Sequence, residues 1–117
     1  MKFQIDSSSG PHIGIVTLTG RVDARNCTEL QNSFMSWLMD TSRFVFDCSG
    51  LEFIDSSGLG TIVSCLRKAL DHNGDLKLAA LSPKVSMVLE LTKASKLFSI
   101  FPDASEAVNS YVTGTKE

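Results

Sequence analysis

The 117-residue chain predicts an α/β fold: a mostly parallel mixed β-sheet with an antiparallel N-terminal edge, packed by about four α-helices. Three observations carry that prediction. Two β-rich segments stand at the N-terminus with only the turn-forming run SSSGP between them. From Asp23 onward, helical and strand-like periods alternate, as crossovers between parallel strands require. The composition, 43% hydrophobic and 21% charged, is that of one ordinary globular domain able to bury a core without disulfides or metals.

Each element has its own signal. KFQID, from Lys2, alternates as a short strand. HIGIVTLTG, from His12, is β-branched and apolar, and predicts a second strand hairpinned onto the first and ended by Gly20. Cys27, Leu30, Phe34, Trp37 and Leu38 then fall at helical spacing. FVFD, Phe44 to Asp47, is too short for a helix and reads as a buried strand. Leu59, Ile62, Val63, Leu66 and Leu70 mark the clearest helix, closed by HNG with Gly74 as its C′ residue. LKLAA, from Leu76, is the next strand. Ser82 is placed as an N-cap before Pro83, and Val85, Val88, Leu89 and Thr92 form the stripe of the helix that follows. LFSIF, from Leu97, is a last short strand. Asp103 and Glu106 make a capping-box pair for a helix with Ala104, Ala107, Val108 and Tyr111 on one face. The expected order is ββαβαβαβα, a single domain over residues 1–112 with 113–117 as a flexible tail.

Several function classes are set aside by composition. The formal net charge is −2 and basic residues do not cluster, so no direct nucleic-acid binding is expected. No apolar run approaches the roughly 20 residues that span a bilayer, and the N-terminus MKFQIDSSSG turns polar too early for a signal peptide. Cys27, Cys48 and Cys65 are an odd, widely spaced set without C-x-x-C, and His12 and His72 stand alone. They read as three buried thiols of a cytoplasmic protein and two solvated or helix-end histidines, with no metal or other cofactor. No long heptad seam is present, which leaves a monomer as the expectation.

The chemistry concentrates in LEFIDSSGLGTIV, Leu51 to Val63, where an apolar strand stops at Asp55 and a helix begins. Ser56 and Ser57 do not fit a nucleophile elbow: in both registers the first glycine of G-x-S-x-G is missing, and neither histidine sits in a recognisable site to act as a base. SSGLGT lacks the lysine of a phosphate-binding loop. Asp55 can simply cap the helix, which is worth about 1 kcal/mol. A cap alone, however, does not require Gly58 and Gly60, which cost about 1 kcal/mol each relative to alanine in a helix. They strip side chains from around the serines and let another protein approach. Ser56 follows the cap at the positive end of a helix, where an added phosphate is held by backbone N–H groups while its charge changes the surface a partner must cover.

The string FDCSGLEFIDSSGLGTIV resembles the hallmark of STAS domains, in particular the bacterial anti-sigma-factor antagonists. VTLTGRVDARN is similar to the family's G-x-[LV]-D segment, and VLELTKASKLFSIFPDASEAV to its C-terminal helix–strand–helix stretch; together they cover about residues 12 to 112. Cys48 stands where many relatives carry an apolar residue such as leucine. The resemblance implies a STAS-like fold and a non-enzymatic cycle. The unphosphorylated antagonist binds an anti-sigma factor that is also a serine kinase, freeing a sigma factor. The kinase then phosphorylates the serine after the motif's aspartate, here Ser56, and dissociates the pair, and a PP2C-type phosphatase resets it. Asp55, Ser57 and Gly58 would frame Ser56, and Asp23 would stand on the neighbouring loop of the partner-binding surface. The family also includes a binding subunit of lipid-transporting ABC systems, tails of anion transporters and members of larger signalling assemblies; in a static binding subunit Ser56 would be only part of a cap.

Overall fold

The computed structural model describes residues 1–6 and 12–113. The elements are β1 (Lys2–Asp6), β2 (Ile13–Val22), α1 (Cys27–Trp37), β3 (Arg43–Ile54), α2 (Ser56–Asp71), β4 (Asp75–Ala79), α3 (Pro83–Leu91), a 3₁₀ turn (Ala94–Lys96), β5 (Ile100–Phe101) and α4 (Ala104–Thr113). This is the predicted order. The expected SSSGP turn lies outside the described residues, as does the expected tail beyond residue 113, whose first residue ends α4.

The five strands lie side by side in chain order, β1 antiparallel to β2 and the rest parallel. That order has a consequence for the layers. Right-handed crossovers that always step in the same direction put their helices on the same side of the sheet. α1, α2 and α3 accordingly cover one face, over Val16, Leu18, Phe44, Phe46, Cys48, Leu76 and Leu78. The opposite face, with Ile13, Val45 and Ala79, is covered by α4 through Ala107 and Val108. The alternation Phe44–Val45–Phe46 is the strand period sorting side chains to the two layers. Lys77 follows the same rule toward α4, where its Nζ donates to Ser110 Oγ at 2.6 Å and lies 3.9 Å from the Tyr111 ring centroid. Burial under α4 lowers the Lys77 pKa, and Asp75 opposes that shift.

The structure departs from the sequence expectations at definite places. β2 does not end at Gly20; that residue takes φ +72° at a register irregularity and the strand continues to Val22. FVFD is only part of a twelve-residue strand, because β3 absorbs extra residues opposite Thr17–Thr19 and Gly20–Arg21 as bulges and resumes its pairing with β2 at Gly50. At the end of α2 the left-handed residue is Asn73 (φ +62°), not Gly74. Gly74 is needed for space, since a Cβ there would collide with the Ser42 carbonyl. Leu70 is half exposed, and Cys65 and Ala69 take its expected place in the core. LFSIF contributes only Ile100 and Phe101 to the sheet. Cys27 is only partly buried, whereas Cys48 and Cys65 are buried. Trp37 stacks on Phe3 (centroids 4.8 Å apart), whereas Met39, just beyond α1, is 87% exposed.

Candidate functional site

The register of β2 on β3 builds the site. Val22 pairs with Ile54 at the carboxyl ends of two parallel neighbours, so Asp23 and Asp55, the next residues on each strand, emerge together. Asp55 N–H donates to the Val22 carbonyl at 3.3 Å, which draws the two chain exits closer. The Asp55 carboxylate then divides its work. Oδ1 accepts from Gly58 N–H at 2.8 Å and caps α2, while Oδ2 accepts from Ala24 N–H at 3.2 Å and ties in the β2–α1 loop.

Asp23 organises that loop from inside. Its carboxylate accepts from Arg21 Nε at 3.2 Å and from Arg25 N–H at 3.0 Å, and its own N–H donates to Asn26 Oδ1 at 2.9 Å. Asn26 closes the ring by donating to the Arg21 carbonyl at 2.8 Å. The Arg21 hydrogen bond and then the Arg25 N–H hold the Asp23 carboxyl below its ordinary pKa. Asp23 is only 7% exposed, so the surface beside Asp55 belongs to Ala24 and Arg25. Arg21 also lies over the Phe53 ring, 4.2 Å from its centroid, which braces the outer ends of the two strands.

Ser56 and Ser57 open α2 and are both exposed. The first intrahelical bond runs from Leu59 N–H to the Asp55 carbonyl at 2.9 Å, and the cap occupies Gly58 N–H. The N–H groups of Ser56 and Ser57 thus belong to the unpaired positive end of the helix, and no acidic side chain lies in its first turn. Among the described residues no base bonds either serine hydroxyl, and no group of three or more histidine, cysteine or acidic side chains gathers that could hold a metal. The arrangement can present a hydroxyl and cradle an anion.

The two glycines have different duties. A Cβ at Gly58 would lie 2.1 Å from the Val22 carbonyl oxygen, so the first turn of α2 rests on the end of β2 only because no side chain intervenes. A Cβ at Gly60 would meet nothing within 4 Å, so this is the glycine that leaves the approach to Ser56 open. Asp23, Asp55, Ser56, Ser57 and Gly58 are therefore brought together at one end of the sheet. Sequence reasoning missed Val22, whose carbonyl is the contact point for both Asp55 and Gly58, and the Ala24 N–H. Both act through backbone atoms, which leave no residue-type signal.

A sequence-family model described as STAS domain matches residues 4–107. An anti-sigma F factor antagonist of Paenibacillus polymyxa is 27% identical over 111 residues, covering 93% of this chain and 92% of that protein. The crystal structure of a Thermotoga maritima protein matches with a TM-score of 0.85 at 24% identity, over 97% of this chain and 94% of that one. The anti-sigma factor antagonist SpoIIAA in its unphosphorylated form gives a TM-score of 0.68 at 20% identity, over 97% of this chain and 100% of SpoIIAA. The phosphorylated form of this Bacillus cell fate determinant gives 0.70 at 18% identity, over 94% and 99%. At these identities the structural likeness speaks for the fold.

Proposed function

This chain belongs to the STAS domain family, and from that premise we propose that it is an anti-sigma-factor antagonist whose binding is switched off by phosphorylation of Ser56. Its similarity to the antagonist of Paenibacillus polymyxa supports the general role. The observation that carries the switch is the placement of Ser56: exposed, first in α2, beside a cap carboxylate already committed to two backbone N–H groups.

In this reading the chain is a substrate and a binder, not an enzyme. A cytoplasmic anti-sigma factor with serine-kinase activity binds the unmodified surface formed by the Asp55–Gly58 turn and the loop around Asp23, and releases its sigma factor. The kinase brings the ATP and the base that takes the Ser56 hydroxyl proton as the oxygen bonds to the γ-phosphorus and ADP leaves; this chain contributes the oxygen. The product places about −1.5 to −2 charges next to Asp55. The free N–H groups at the start of α2 stabilise that charge locally, so the fold survives. The partner surface does not tolerate it, and a penalty of about 4 kcal/mol weakens an interface about a thousandfold. A PP2C-type phosphatase restores the hydroxyl.

Affinity capture from the soluble lysate of the native host, with wild type, Ser56→Ala and Ser56→Asp as parallel baits, tests the switch. The expected result is a kinase-like protein held by wild type and Ser56→Ala and lost by Ser56→Asp, with all three baits folded. Phosphate mapped to Ser57 would place the switch one residue away. Equal retention by all three baits, above all of a transporter ATPase, would instead make the turn a plain helix cap in a static binding subunit.

A further inference from the structure

Beside Ser56 runs an open groove of about 550 Å³ between α2 and the segment that follows α3. It exists because Ser56, Gly60 and Ser64 recur at every fourth position, on one side of the helix, and none has a side chain long enough to fill the space. Leu59 and Val63 supply apolar surface from the same helix, and Ala94 and Leu97 from the opposite wall, with Leu97 55% exposed. Two cations complete the lining: Arg67 at the far end of the α2 wall, and Lys93 across from it.

Among the described residues no aspartate or glutamate lies within ion-pair distance of Arg67 or Lys93, and none lines the groove. Lys93 is also fixed at its root. It follows the C-cap of α3, Thr92, in the left-handed conformation (φ +63°), with its N–H donating to the Glu90 carbonyl at 3.1 Å. The α2 wall from Ser56 to Arg67 rises about 16 Å, the length of three turns of a facing helix.

We propose that this groove seats an acidic amphipathic helix of the protein partner, with apolar side chains against Leu59, Val63 and Leu97 and carboxylates at Arg67 and Lys93. The proposal rests on the reading of Ser56 as the switch and adds the chemistry of what is switched. Charge decides the occupant: a basic segment would meet two unpaired cations, whereas an acidic one pairs with both. It also explains how one phosphoryl group evicts the partner. Ser56 lines the end of the same groove, so its phosphate sets like charge against the occupant's carboxylates as well as filling space.

The test uses displayed random peptides about 16 residues long, enough to span the groove as a helix, selected on the wild-type chain and followed by fluorescence anisotropy of the best binder. The expected winners combine Asp and Glu with Leu, Ile or Phe at helical spacing and weaken as salt is raised. They lose at least about tenfold in affinity, some 1.4 kcal/mol, on Arg67→Glu or Lys93→Glu, and also lose affinity on Ser56→Asp. Lys84→Glu, on an exposed position outside the groove, leaves them unchanged. Lys93→Gly removes the charge without a side chain in the left-handed region, so a loss of binding there is not a loss of fold. Failure to enrich peptides, winners without acidic residues, or equal affinity for an Arg67→Glu, Lys93→Glu double variant would overturn the proposal. Those outcomes leave the Ser56 switch standing, because the switch is decided by whether Ser56→Asp releases the captured kinase.

Discussion

A methyl group added at Gly58 would lie 2.1 Å from the Val22 carbonyl oxygen and 2.9 Å from Val22 Cγ1, with backbone on one side and a short branched side chain on the other. Neither can swing away, so Gly58→Ala is expected to destabilise the protein by about 3 kcal/mol, at the upper end for overpacking. Urea denaturation measures this directly, and an unchanged midpoint would show that α2 does not rest on β2 as described. Gly60→Ala adds its methyl to open space and should leave the midpoint unchanged or raise it slightly, as alanine replaces glycine within a helix. The contrast separates two residues that look alike in the sequence. Both read as providers of access to Ser56, but Gly60 leaves that face open and Gly58 lets the helix dock. The aspartates differ in the same way: Asp55 was legible as a cap because its type and position announce one, while the burial of Asp23 depends on Arg21, Arg25 and Asn26 closing around it.

At the scale of elements, α2 is tied to the β2–α1 loop by one carboxylate with two separate acceptors. Asp55→Ala removes both and should cost about 2 kcal/mol, more than the ordinary ~1 kcal/mol for a lost cap. Asp55→Asn keeps one acceptor oxygen, and asparagine is as good an N-cap as aspartate. It should therefore cost about 1 kcal/mol, through the Ala24 contact. Thermal or urea unfolding of the two variants checks the order, and equal losses would mean that the Ala24 bond contributes nothing. The helices were readable because each carries its own stripe and three of the four their own cap: Asp55, Ser82 and Asp103 all accept from the backbone N–H three residues on. β3 was not readable to its full length. Ser49 and Gly50 are turn-forming residue types, and the strand runs on past them because β3 pairs with β2 again from Gly50.

For the whole molecule, the unequal cover of the sheet governs where it is vulnerable. Three helices share one face, while α4 covers the other and is fastened by the Tyr111 hydroxyl, which donates to the Phe44 carbonyl at 2.8 Å. Tyr111→Phe should cost about 1–2 kcal/mol. It should leave partner capture intact, because α4 lies across the sheet from α2; loss of capture without loss of stability would contradict that separation. The same interior sets the alkaline limit. Burial pushes the Cys48 and Cys65 thiols up from 9.0 to about 12 and raises the Tyr111 hydroxyl as well. All three groups are held neutral in the folded state and ionise more readily in the unfolded chain. Their stabilisation is full below pH 9 and is lost progressively as pH rises toward 12. Urea midpoints should fall between pH 8 and pH 10.5, and a Cys48→Ala, Cys65→Ala double variant should show a shallower fall even if it starts less stable.

The order of elements, the capped start of α2 and the position of Ser56 within it were determined by the sequence itself, because periodicity, cap chemistry and local turns act over a few neighbouring residues. The family resemblance was equally legible, since it rides on a contiguous motif. What only the tertiary structure decided was which residues share a surface. The pairing of Val22 with Ile54 sets Asp23 beside Asp55, the Val22 carbonyl imposes Gly58, and the segment after α3 supplies Lys93 and Leu97 opposite α2. These contacts join residues some thirty positions apart through backbone atoms and sheet register. Register is fixed by burying the whole sheet at once, so no single stretch of the chain contains it.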